Sequence, residues 1–348
     1  MTNQEIIENI RALVKGMQPK QDISKVLLQH RCEYLLTKVA PQEYRQHQAL
    51  ARVVNSIAIK ERLKACAPIF SQNEIPYAVI KGAVLSDTIY HDPLLRTSGD
   101  IDILIHRKDA DHLKQLLTAN GFVQGRVTGQ GIIPFSRREL LFQTSFSHQA
   151  APYIKKTGNM LCPYVNLDIN MDLLWGESEE RTNMDFVLSN TVKSELFQIA
   201  FQKLTPEMEF VSLCLHHYKD MNSLYLLASG SLRLGLFCEI YDYLHNVKPD
   251  IKTLCYLCEK LNVGRYLYTC LYQTNELFED QIILAYLEAL DAQKDLSLLD
   301  SFGLNKKEHK TWTLNLLDRV LHPNINDYIQ ELLTDEEKEK IKINRELM

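Results

Sequence analysis

The sequence predicts an α+β protein in which a small layer of strands and helices lies between two helical regions. Three observations carry that expectation. Gly (13) and Pro (11) are scarce in 348 residues, too few for a turn-rich β architecture, so long helices are expected. Apolar residues recur at helical spacing near the N-terminus and again from about residue 183. Between these stretches, short apolar runs alternate with helical segments, the order of a layer that packs helices on strands. Hydrophobic residues make up 45% and charged ones 24%, a balance that offsets chain entropy and excludes disorder over most of the length.

Taken in order, Ile6, Ile7, Ile10, Leu13 and Val14 form one helical stripe, and Leu50, Val53, Val54 and Ile57 another. Pro41 separates them, because the residue before a proline is steered away from the helical region. The second run continues through Leu63 and Ala67 to the turn signal 71–76. Tyr77-Ala-Val-Ile80 then reads as a buried strand, Ala83–Tyr90 as a short helix and Asp100–Ile105 as a second strand. Ala110, Leu113, Leu116 and Leu117 define an amphipathic helix stopped by Asn120-Gly121. Segments 138–147 and 161–171 are expected to be further strands, and everything from about 183 onward helical, ending in a mixed-charge surface helix after Thr334.

Composition excludes several function classes. With 39 basic and 44 acidic residues the net charge is −5, the wrong sign for a chain that coats DNA or RNA. No run reaches the roughly 18 apolar residues of a membrane span, and the polar, amphipathic start MTNQEIIENIRALV is no secretory leader, so a cytoplasmic location is expected. The eight cysteines, spread among apolar neighbours, read as buried thiols in a reducing compartment.

The chemistry concentrates at Ile80-Lys81-Gly82-Ala83-Val84-Leu85 and Asp100-Ile-Asp102-Ile103. On a strand, residues i and i+2 point the same way, so Asp100 and Asp102 share one face while Ile101, Ile103 and Ile105 face the core. Two carboxylates so close repel unless a cation neutralises them, which points to a divalent metal and to two-metal phosphoryl chemistry. Gly82 sits at a strand-to-helix junction, where backbone N–H groups can approach a phosphate.

This is the spacing of the polymerase-β-like nucleotidyltransferases, and the resemblance extends further. Lys81-Gly82-Ala83-x-Leu85, Tyr90-x-Asp92-Pro93, Arg96 and Asp100-Ile-Asp-Ile-Leu-Ile105, then Leu167-Asp168-Ile-Asn170-Met-Asp172-Leu-Leu-Trp175, resemble the uncharacterised bacterial nucleotidyltransferase family, fifth of the NTP-transferase groupings. The motif match covers roughly 77–175. It implies a mixed sheet with flanking helices over 66–182, between an N-terminal helical region (1–65) and a C-terminal helical domain (183–348). It implies transfer of an NMP from an NTP, ATP among them, to an acceptor hydroxyl with release of pyrophosphate. In that scheme Asp100, Asp102 and Asp168 hold Mg²⁺ (or Mn²⁺), and Asp168 helps deprotonate the acceptor. Lys81, Gly82, Ala83, Ser86, Arg96 and Ser98 serve the triphosphate. The acidic balance favours a small-molecule or protein acceptor over a nucleic acid, although a local basic patch leaves a tRNA end open.

Two positions depart from the family pattern: Ala83 stands where many members have Ser, and Asn170 where the family usually has His. They support a second reading, a catalytically inactive nucleotide- or partner-binding module. A third is a toxin-like nucleotidyltransferase, because Arg96-Thr-Ser98-Gly-Asp100 resembles a block of abortive-infection toxins. Other candidates have plainer readings. Cys255-x-x-Cys258 lacks a second pair at zinc spacing and reads as core thiols. For His216-His217 one inward and one outward ring is expected, and the calcium-loop imitation at 168–179 has Leu173 where that loop needs Gly. Arg126, Arg137, Arg138, Lys155 and Lys156, interleaved with Phe135, Phe142 and Tyr153, read as a solvated face.

Overall fold

In a computed structural model, which describes residues 1–96, 98–146 and 149–347 with backbone alone for 142–146 and 344–347, the run Tyr77–Ile80 forms strand β1. All four of its residues are buried, as a continuous apolar run requires when both faces of a strand are covered. The other strands of its sheet are β2 (Ile101–Ile105), β3 (Val123–Thr128), β4 (Gly131–Pro134), β5 (Tyr153–Asn159), β6 (Cys162–Asn170), β7 (Thr191–Leu196) and β8 (Ile199–Leu204). Their order is β4-β3-β5-β6-β2-β1-β8-β7. Strand β2 runs antiparallel to β1 and parallel to β6, and β1 runs parallel to β8, so the sheet is mixed.

By contacts the chain divides into two units, one of residues 49–212 and one of residues 1–48 with 213–346. The first holds the eight-stranded sheet. Its helix Ala49–Gln72 lies against β6 and β8, burying Ile59, Leu63, Cys66, Ile69 and Phe70 into a core with Val79, Ile103, Val165 and Leu167. Phe70 stacks on Tyr77 with ring centroids 4.5 Å apart. Each large side chain buried there contributes roughly 1.5–3 kcal/mol.

The strands at 77–80 and 101–105 and the helices Gly82–Tyr90 and Ala110–Ala119 stand where the sequence places them. Two segments differ. Residues 137–146 are helical rather than extended, while Ser147 lies outside the described residues. A capping box explains the helix: Ser136 N–H donates to Glu139 Oε2 at 2.7 Å, and Glu139 N–H donates to Ser136 Oγ at 3.3 Å. These bonds to Ser136, with help from Arg126, hold the Glu139 carboxyl down at about 2. Residues 191–204, expected helical, instead form the β7–β8 hairpin. Its two turn residues, Phe197 (φ +52°) and Gln198 (φ +64°), both have positive φ. That turn normally takes Asn or Gly, so the local signal for a hairpin is missing from the sequence.

The second unit is built of helices, with a small pairing of β9 (Ser301–Phe302) and β10 (Lys310–Thr311). Helix Leu234–Asn246 is buried along almost its whole length, including Asp242, which pairs with Lys38. The N-terminus of that helix is met by His30, whose Nδ1 accepts from Leu234 N–H at 3.3 Å. Among the described residues no helix is long and apolar enough to cross a membrane. All eight cysteines are unpaired, seven of them buried and Cys255 partly so.

Two outcomes are expected. Exposed Gln198 strains its left-handed backbone, so Gln198→Gly raises stability by about 0.5–1 kcal/mol in urea unfolding, the relief exceeding the added chain entropy of glycine. Burial, with Arg233 adding to it, lowers His30 to about 4. The unfolded chain takes up this proton near pH 6.5 and the folded chain only near 4. Stability attributable to His30 is therefore constant above 6.5 and falls by roughly 3 kcal/mol as pH drops through that window. His30→Asn, which keeps an acceptor for Leu234, flattens that limb when unfolding is compared at pH 7 and pH 4.5.

Candidate active site

Strand β2 sets the site. Its register places Ile80 of β1 opposite Asp102 on one side and Asp168 of β6 opposite Asp102 on the other. In-register neighbours project from the same face of a sheet, with strands about 4.8 Å apart, so Asp102 and Asp168 stand side by side. Asp100 precedes β2 by one residue. The core face behaves as expected, with Ile101 at 8% exposure and Ile103 and Ile105 at 0%.

The carboxylates are engaged by protein donors. Asp102 Oδ1 accepts from Lys81 Nζ and from Asn170 Nδ2, each at 3.1 Å. Asn170, 2% exposed, is oriented in turn by Gln149, whose Nε2 donates to Asn170 Oδ1 at 2.7 Å. Asp100 Oδ1 accepts from Ser98 Oγ at 2.7 Å. Among the described residues no three His, Cys, Asp or Glu side chains are gathered as a metal-holding group. In this arrangement the Lys81 ammonium supplies the positive charge at Asp102.

Lys81 and Gly82 make a turn that ordinary backbones avoid. Lys81 has φ +59° and ψ −161°, a region nearly restricted to glycine, and Gly82 has φ +51°. A Cβ on Gly82 would stand 3.3 Å from Ser98 Oγ, so the glycine also lets the 98–100 segment close in. The helix Gly82–Tyr90 starts here. Its first internal bond runs from Leu85 N–H to Lys81 O, which leaves the N–H groups of Gly82, Ala83 and Val84 at the helix mouth.

A pocket opens at this junction, and Lys81, Gly82, Ala83, Ser98, Asp100 and Asp102 all line it. Asp168 joins the group through its register with Asp102, though it is not among the described pocket residues. Arg96 and Ser86 are likewise not among them. Ser86 is buried, and its hydroxyl donates to Asp92 O at 2.8 Å, so it ties the helix to the following loop. Asp92 is held by Arg52 Nη2 at 3.1 and 3.0 Å. Asp172, 5% exposed, accepts from Leu174 N–H and from the Thr182 hydroxyl, an internal loop clamp.

Sequence reasoning passed over Arg62, on the helix Ala49–Gln72. It lines the same pocket at 8% exposure, and its Nη1 donates to Ser98 O at 2.5 Å. Burial lowers the guanidinium below the usual arginine range, opposed by Cys162 and Asp100. An arginine inside an apolar stripe is its only local signal.

Comparison with known proteins decides the family. The model of a family described as uncharacterised nucleotidyltransferase matches residues 16–279, well over half of the chain. The chain belongs to that family. A solved structure similar to it is an antigenic nucleotidyltransferase-like protein from Paracoccidioides brasiliensis, at 18% identity and a TM-score of 0.35, covering 71% of this chain and 95% of that one. No curated protein matches.

The remaining sequence candidates lie outside this site. His217 is fully buried with Nε2 3.0 Å from Glu239 Oε2, and His216 faces Asp220 at 3.6 Å. Cys255 and Cys258 are raised above the usual thiol range by burial. Arg126 pairs with Glu139 at 2.6 Å and Lys155 stands over the Phe122 ring at 5.5 Å, while the side chain of Phe142 lies outside the described residues.

The turn is open to a direct test. Lys81→Gly and Lys81→Ala both remove the ammonium, but only glycine relieves the backbone. Lys81→Gly is therefore expected to be the more stable variant by about 1–3 kcal/mol in denaturant titration.

Proposed function

We propose that this nucleotidyltransferase is metal-dependent and moves an NMP from an NTP to an acceptor hydroxyl, releasing pyrophosphate. One observation carries the reading: the β2–β6 register sets Asp168 beside Asp102, and Asp102 lines the same pocket as the Gly82 turn. Asp100, Asp102 and Asp168 offer the carboxylate oxygens that a hard divalent cation takes, and gathering them around one requires Lys81 and Ser98 to give up Asp102 and Asp100. When bound by these three residues, Mg²⁺ or Mn²⁺ would offset triphosphate charge and acidify the acceptor hydroxyl.

The chain's own groups supply the rest. The N–H groups of Gly82, Ala83 and Val84 receive phosphate oxygens at the positive end of the helix. Lys81, released from Asp102, follows the phosphates as a mobile point charge. Asp168 accepts the acceptor's proton as its oxygen bonds to the α-phosphorus, and the bond from that phosphorus to the bridging oxygen breaks with pyrophosphate leaving. The core is read as polymerase-β-like, and a small molecule or protein suits the acidic chain as acceptor. The unpaired thiols suit the reducing cytoplasm.

A second reading has its own observation. The Lys81–Asp102 ion pair and the amide of Asn170 satisfy Asp102 without a metal, as a nucleotide-binding module without turnover would. Incubation of the purified protein and cell extract with each of four α-labelled NTPs and Mg²⁺ or Mn²⁺ separates the two. Wild type is expected to move label to an acceptor, and Asp100→Asn/Asp102→Asn to do so about 100-fold less or worse. Metal-dependent nucleotide binding with no label moved by wild type would replace the transferase reading with the binding module.

A further inference from the structure

The buried guanidinium of Arg62 is an expensive feature in its setting. It shares the pocket wall with Ile59, Leu63 and Leu196 on the apolar side and with Asp100, whose charge favours the guanidinium, on the polar side. Its Nε carries no hydrogen-bond partner among the described residues, although the side chain is 8% exposed. Arg62 is spent instead on one backbone acceptor, the Ser98 carbonyl. Ser98 is the residue whose hydroxyl donates to Asp100 Oδ1 at 2.7 Å and to Asp100 O at 3.0 Å. Its side chain also fills the space left by the missing Cβ of Gly82. A linear chain of contacts thus runs from the helix Ala49–Gln72 to the Asp100 carboxylate.

We propose that Arg62 is a positioning residue that fixes the orientation of the Asp100 carboxylate through Ser98. The assignment rests on the transferase reading above and deepens it. Asp100 stands outside β2, so strand pairing does not hold its backbone as it holds Asp102. Without a second anchor the 98–100 segment is free to turn the carboxylate away. A planar guanidinium, whose position is set by the packed helix around it, supplies that anchor more rigidly than a flexible ammonium. Gly82 stands against the Ser98 side chain while Arg62 holds its carbonyl, so both turn and helix contact this residue.

The test is a double-mutant cycle on label transfer with Arg62→Met, Ser98→Ala and the double variant, beside Arg62→Lys. Each of Arg62→Met and Ser98→Ala is expected to lower kcat about 10- to 100-fold, because carboxylate misplacement of this kind is costly. KM for the NTP is expected to stay within about threefold. Because both act on the same carboxylate, the double variant falls no further than the slower single one. Arg62→Lys, which can still donate to the Ser98 carbonyl, recovers part of the loss. If Arg62→Met does not fold, Arg62→Leu with Ser98→Ala forms the cycle. Independent effects that multiply in the double variant overturn the proposal, as does an Arg62→Met kcat within about twofold of an active wild type. A wild type that transfers no label overturns the transferase reading, and this assignment with it.

Discussion

Pairing of β2 with β1 on one side and β6 on the other brings two carboxylates into adjacent in-register positions. Like charges set directly across a sheet destabilise it, so a protein keeps them only where something compensates. Here Lys81 and Asn170 compensate at Asp102, and Lys81 reaches it because the chain leaves β1 through a backbone conformation that disfavours every residue but glycine. The strained turn, the helix mouth beyond it and the paired carboxylates therefore form one unit. Altering the β2 register by a single residue would send Asp102 to the opposite face and dissolve all three relations.

The helix Ala49–Gln72 does two jobs across this arrangement. Its apolar residues close the sheet core, while Arg52 and Arg62 reach the loop between the helix Gly82–Tyr90 and β2. Arg52 grips Asp92, and Arg62 grips the Ser98 carbonyl. Among the described residues that loop has no strand partners of its own, and its shape is held by charge-assisted bonds from a neighbouring rigid element. Such placement is how a sheet-based site gains precision at a position lying just beyond a strand end.

Much of this was legible from local pattern. The strand Tyr77–Ile80, the turn at Gly82 and the helix after it follow from a short apolar run, a glycine and a change of period, all within a few neighbouring residues. The Asp100-x-Asp102 signal is equally local. The β7–β8 hairpin was not legible, because Phe197-Gln198 holds positive φ without the residues that normally announce it. At 138–147 a strand was expected, whereas the Ser136–Glu139 capping box starts a helix over Arg137–Phe146.

Among the polar residues at 168–172, local pattern treats Asp168, Asn170 and Asp172 alike as members of one face. The fold separates them: Asp168 opposite Asp102, Asn170 as a donor to it, Asp172 as a loop clamp. By itself the sequence determined the strand-to-helix junction at Gly82 and the inward face of Ile101, Ile103 and Ile105, because glycine sterics and strand alternation act between near neighbours, whereas Asp100, expected inside the strand, stands one residue before it. Only the tertiary structure decided that Asp168 stands beside Asp102 and that Arg62 holds Ser98. Strand register and the facing of a helix arise from packing between segments distant in the chain, and no local pattern encodes them.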